Sequence, residues 1–150
     1  MIPYDRFVPA LNCLLPQAPA AIGGYAATTR VGSLLFVSGQ LPFVDGKLAH
    51  CGKIGDERSF AYGLEAAKIC ALNILAQSFD ALEGGLPSKA VKLEGYINCT
   101  SAFTEHAGVL DGASKLISSA VSGDSHSRIA IGCESLPENA SVEIAAVFEI

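Results

Sequence analysis

Two residues in this chain have the types and spacing for acid–base chemistry on a small anion. Arg128 stands at the mouth of an apolar run, SRIAIGC, and Glu143 follows fifteen residues later inside SVEIAAVFEI. A guanidinium presents a planar fork of donors that matches a carboxylate bidentately. A carboxylate beside it has the means to orient a water and move its proton. Period two puts Ile129 and Ile131 on one face and Arg128, Ala130 and Gly132 on the other. If residues 127–133 and 141–150 form a hairpin, a register setting Ala130 against Ser141 also sets Arg128 against Glu143. The pair, with a floor of Ala130 and Gly132, then makes a shallow polar pocket. A bulge in the connection breaks that register. The plainer reading of the same residues is a structural cross-strand pair worth under about 1 kcal/mol.

Other chemistries find less support. His126 reads as a loop histidine, and His50 and His106 have no partners at metal-ligand spacing. The five cysteines (Cys13, Cys51, Cys70, Cys99, Cys133) form neither CxxC nor a Cys/His cluster, so reduced thiols are expected, without a disulfide frame or zinc site. The glycines of GGYA and VSGQ match no phosphate-binding loop and read as turn residues. A net charge of −5 and no Lys/Arg run argue against a nucleic-acid face. The N-terminal MIPYDRFVPA lacks the charged-then-apolar build of a signal, and the cytoplasm is the expected compartment.

These residues need elements to position them. Half the chain is apolar and 17% is charged, yet no stretch nears the roughly 20 apolar residues of a membrane span. With mean hydropathy +0.38, the surplus apolar surface is expected in a tight core and a subunit interface. Residues 1–23 hold four of the seven prolines and read as an irregular lead-in. YAATTR and LLFVS flank a Val31-Gly32-Ser33 turn as a hairpin, and Asp45-Gly46 marks another reversal. Apolar positions from Phe60 through Leu64, Ala67, Ala71, Leu75 and Phe79 to Leu82 predict one long helix. Asp56 is its expected N-cap, and Gly84-Gly85 its stop. Residues 89–100 alternate as a strand, and 104–121 repeat the helical stripe. The order β-β-α-β-α-β-β predicts a sheet with both helices on one face. Its last strand is apolar on both sides, so the open face is expected to meet another copy.

AAIGGYAATTRVGSLLFVSGQLP, the ALNIL helix, VKLEGYINCTSAF, HSRIAIGCESLP and SVEIAAVFEI, in that order, resemble the RidA/YjgF family, also labelled L-PSP endoribonuclease-like. The resemblance runs from about Ala20 to Ile150 and looks like a diverged, longer branch. It implies an α/β (α+β) fold of chorismate-mutase-like type over a single domain, residues 1–150, with residues 1–20 as lead-in. It also implies homotrimers with three clefts between subunits. Active members hydrolyse reactive enamine and imine acids to 2-oxo acids and ammonia, without cofactor or metal. By position, the substrate-carboxylate arginine falls on Arg128 and the water-orienting glutamate on Glu143. The cleft aromatic falls on Tyr25, its lining loop on Ser38, Gly39 and Gln40, and a frequent second-helix asparagine on Asp111. Ile129-Ala130 stands where members often carry Ser, Cys or Thr, leaving the backbone of Ala130 to serve. The expected partner is a small carboxylate-bearing metabolite, with neither membrane nor nucleic acid. Two alternatives stay open: a non-catalytic trimeric metabolite binder, and the endoribonuclease or translation inhibitor of the family label.

Overall fold

A computed structural model describes residues 5–122 and 125–150. Residues 1–4 of the lead-in, and Gly123 and Asp124 of the stretch before Arg128, lie outside the described residues. The lead-in is more regular than its prolines suggest: β1 (Phe7–Val8) and β2 (Cys13–Leu14) form a small antiparallel ribbon around a 3-10 turn at Pro9–Leu11. Arg6 pins it, reaching Asp80 at 2.6 Å and the carbonyl of Pro16 at 2.6 Å while lying over the Phe79 ring.

Next come β3 (Thr28–Val31) and β4 (Leu34–Gln40), joined by Gly32-Ser33 with Gly32 at φ 57. The short hairpin β5 (Phe43–Val44) and β6 (Lys47–Leu48) turns through Asp45 and Gly46, both at positive φ, as the Asp-Gly pair predicts. Helix α1 (Phe60–Ala81) follows, then β7 (Lys89–Asn98), α2 (His106–Ala120), β8 (Ser127–Cys133) and β9 (Val142–Glu149). Helix α1 is capped by Ser59, whose side chain accepts from the Tyr62 amide, and not by Asp56. The chain from Lys53 to Arg58 is instead a tight turn in which Glu57 accepts from the Lys53 amide.

The five main strands run in the order β3-β4-β9-β7-β8. Both helices lie on one face, where Leu35, Val37, Leu93, Ile97, Val142, Ile144 and Phe148 meet Ala67, Ala71, Leu75, Val109, Leu110 and Ile117 in one buried core. The two helices cross closely at Gly112, where a Cβ would come within 2.6 Å of the Leu64 carbonyl.

The hairpin expected between β8 and β9 does not form. β8 pairs with β7 in parallel, and β9 pairs antiparallel with both β7 and β4. The link between β8 and β9 crosses the end of β7: Asn98 donates from its side-chain amide to the Ala140 carbonyl at 3.0 Å and to Asn139 Oδ1 at 3.2 Å. Ser141 is then tied on the far side, its hydroxyl to the Gly52 carbonyl at 2.8 Å and its amide to the His50 carbonyl at 3.2 Å. Those polar anchors carry the last strand past its sequence neighbour into the central slot.

Candidate functional site

Arg128 enters β8 level with Leu93, a fully buried residue on the helix-bearing face. From there its Nη1 forms an ion pair with Asp111 Oδ1 at 2.8 Å and donates to Ser114 Oγ at 3.0 Å. Asp111 and Ser114 are three residues apart on α2, the spacing that places two side chains on one helical face. Ser114 Oγ also lies 3.0 Å from His126 Nε2. Burial, and secondarily the Arg128 charge, push His126 below its ordinary pKa, so the ring is neutral at pH 7. Among the described residues nothing engages Arg128 Nε or Nη2, the edge that binds a carboxylate through two parallel donors. Ala130 follows on the same face, level with Gly95.

Glu143 sits elsewhere. It is level with Tyr96 on β7, hence on the open face, opposite to Arg128 and separated from it by an intervening strand. The pairing of β4 with β9 steps from Val37↔Ala146 to Gln40↔Ile144, so Ser38 and Gly39 together face the single residue Ala145 in a β-bulge. The Glu143 carboxylate lies directly over Gly39, where any Cβ would overlap Oε1. The glycine read as a turn residue is therefore a seat for the acid. Burial raises the Glu143 pKa, and among the described residues no donor reaches its carboxylate.

The remaining candidates gather around this bulge. Ser38 Oγ donates to the Ala26 carbonyl at 2.7 Å. The buried Gln40 donates to the Ser38 carbonyl at 3.0 Å and accepts from Gln77 Nε2 at 3.3 Å, so its side chain braces the bulge. Tyr25, Gly39 and Gln40 line one shallow depression with Ile22 and Phe43. The eight candidates thus fall into two sets: Arg128, Asp111 and Ala130 at the β8–α2 edge, and Tyr25, Ser38, Gly39, Gln40 and Glu143 around the β4 bulge. No Arg128–Glu143 pocket exists within one chain, because β7 lies between the two strands.

A family model described as "YjgF/chorismate_mutase-like, putative endoribonuclease" matches residues 5–149. The chain belongs to this YjgF (RidA) family. Among curated relatives, protein TCP17 of Trypanosoma cruzi is 38% identical over 145 residues, covering 93% of this chain and 89% of the relative. Among solved structures, Atu1372 of Agrobacterium tumefaciens, a protein of unknown function, superposes with TM-score 0.89 at 41% identity, covering 97% of this chain and 93% of that one. An endoribonuclease-labelled protein from Shewanella oneidensis gives TM-score 0.83 at 34% identity, with 91% of each chain covered.

Sequence reasoning missed two members of the Arg128 environment and one contact outside both sets. Ser114 and His126 complete the Arg128 cluster, and only the tertiary packing of α2 on β8 brings Ser114 there. A thiol–imidazole contact, Cys99 Sγ to His106 Nε2 at 3.4 Å, lies at the opposite end of β8, and burial raises the thiol pKa. Cys99 directly follows β7 and His106 opens α2, so no single strand or helix period spans the interval between them. Among the described residues no three His, Cys, Asp or Glu side chains converge as metal ligands, and no helix is long and apolar enough to cross a membrane.

Proposed function

We propose that this chain hydrolyses small, reactive enamine and imine acids to 2-oxo acids and ammonia, in clefts formed between copies of a homotrimer. The observation that carries this reading is Glu143: an acid half-buried on a glycine seat, with a raised pKa, fifteen residues beyond Arg128 as the family pattern asks. Because Arg128 and Glu143 occupy opposite faces of one sheet, a working site needs the β8 edge of one copy against the β4 bulge of another.

The chemistry asks little more than placement. An enamine acid first tautomerises to the imine, which takes a proton from solvent to become the iminium. Arg128 holds the carboxylate on Nε and Nη2 and so fixes the iminium carbon. Glu143 takes a proton from water as the oxygen adds to that carbon, and the proton then passes to nitrogen. The C–N bond then breaks with its electron pair leaving on ammonia, while Glu143, again a carboxylate, takes the hydroxyl proton as the carbonyl of the 2-oxo acid forms and passes it to solvent.

Pyruvate release from 2-aminoacrylate generated in situ tests the reading. The wild type should accelerate release over buffer, and Arg128→Ala should abolish the acceleration while leaving the oligomer intact. No acceleration by the wild type would sink this substrate. One observation favours a second reading, a trimer that binds a metabolite without turnover: Asp111 already occupies one side of the arginine at 2.8 Å. Stabilisation of the fold by a carboxylate ligand, with no product formed, would select that alternative.

A further inference from the structure

We infer that Asp111 makes this site selective for zwitterions, small molecules with an iminium or ammonium beside a carboxylate, over plain 2-oxo acid anions. The inference rests on reading Arg128 as a carboxylate clamp. That clamp is not a bare cation. Asp111 Oδ1 stands 2.8 Å from Nη1, and burial holds His126, the other titratable group of the cluster among the described residues, toward its neutral form. The cluster of Arg128, Asp111, Ser114 and His126 therefore carries one positive and one negative charge, with no net charge to attract an anion.

Two consequences follow from the geometry. Asp111 and Ser114 load only Nη1, so they hold the guanidinium plane while leaving its two-donor edge open among the described residues. A ligand carboxylate docking there comes up beside the Asp111 carboxylate, and like charges at such range repel. Asp111 Oδ2 has no partner among the described residues. Lys68 and Lys115 line the groove on the other side of Asp111, yet neither makes an ion pair with it. A ligand that carries a cation next to its carboxylate offsets the repulsion, the carboxylate on Arg128 and the N–H donors toward Oδ2.

An iminium acid is such a ligand, and the 2-oxo acid formed from it is not. Hydrolysis exchanges the cationic C=N for a neutral C=O, so the product loses the contact with Asp111 and keeps the repulsion. Asp111 is in this sense a positioning and discriminating residue that favours reactant capture and product departure, a repulsive element against the wrong ligand.

Alanine and pyruvate are stable stand-ins of matched size, one zwitterionic and one a plain anion. NMR chemical-shift titrations of both into the wild type and Asp111→Asn measure the preference directly. The wild type should bind alanine more tightly than pyruvate. In Asp111→Asn alanine should weaken and pyruvate tighten, each by up to about fivefold, the range of partly exposed charge pairs. Asp111→Glu, which keeps the charge, should keep the wild-type order. An alanine-to-pyruvate ratio unchanged in Asp111→Asn overturns the inference while leaving the clamp standing. Binding of both ligands undiminished in Arg128→Ala overturns the clamp and the inference with it.

Discussion

Glu143 carries a charge in a half-buried site with no donor among the described residues to offset its lost hydration. Its folded pKa lies above its unfolded one, so the folded state binds the extra proton. The stability this gives is present below the ordinary glutamate pKa and is lost as pH rises through the raised folded value. At neutral pH the residue is thus a liability to the fold, the pattern of a group retained for chemistry. Glu143→Gln should therefore raise Tm at pH 7 by about 2–4 °C, the shift that ~1 kcal/mol gives in a chain of this size. Thermal unfolding scans at two pH values check this: the gain should shrink toward pH 4, where the wild-type acid is itself protonated. The same substitution should remove imine hydrolysis and its acid limb, which in the wild type should lie above the ordinary glutamate range. A gain in Tm that grows on acidification would contradict the assigned pKa direction.

Helix α1 ends in a way its sequence half conceals. Gly84-Gly85 marks the stop, but the residue in the left-handed conformation is Glu83, at φ 52. The Gly84 amide bonds the Phe79 carbonyl at 2.9 Å and the Glu83 amide bonds Asp80 at 3.3 Å, the two bonds of a Schellman cap with glycine one place late. A left-handed non-glycine residue costs roughly 1–2 kcal/mol, so Glu83→Gly should stabilise the fold by about 0.5–1 kcal/mol once the freer unfolded chain is counted, read as a raised urea midpoint at unchanged m-value. A lowered midpoint would show that the glutamate side chain makes a compensating contact. Local features of this kind were largely readable: the helical stripes, the Asp45-Gly46 reversal and the alternation of β7 follow from period and turn chemistry within a few residues. Strand order was not. That β9 lies between β4 and β7 depends on Asn98 and Ser141 anchoring a link across a strand end, and no local period encodes such a contact. The fifteen-residue offset of Arg128 from Glu143 was legible, but its meaning was not. A hairpin would make it a pair, whereas the observed sheet places the two on opposite faces.

At the scale of the molecule, the two halves of the candidate site and the uncovered sheet face pose one problem. The open face carries Ile129 and Ile131, 48% and 42% exposed, with Phe36 on the far side of the sheet at 42%. The Lys92–Glu94 ion pair at 3.1 Å and the Tyr96 hydroxyl, donating to Glu94 at 3.3 Å, lie between them. Ile129 and Ile131 form an exposed apolar pair at the edge of this face, and the trimer of the proposed function would cover them. Ile129 and Ile131 alternate with Arg128 and Ala130, so charging them leaves the Arg128 cluster on the other face untouched. The double change Ile129→Lys with Ile131→Lys should accordingly convert trimer to monomer in sedimentation velocity, while far-ultraviolet circular dichroism keeps the wild-type helix signal. Imine hydrolysis should fall with the trimer, since Arg128 and Glu143 of one chain cannot meet. Mixing inactive Arg128→Ala protein with inactive Glu143→Gln protein, after dissociation and reassembly, should then restore part of the activity through clefts that draw one intact residue from each copy. A double-lysine monomer with full activity, or mixed trimers with none, would show that the site is complete within a single chain or lies elsewhere.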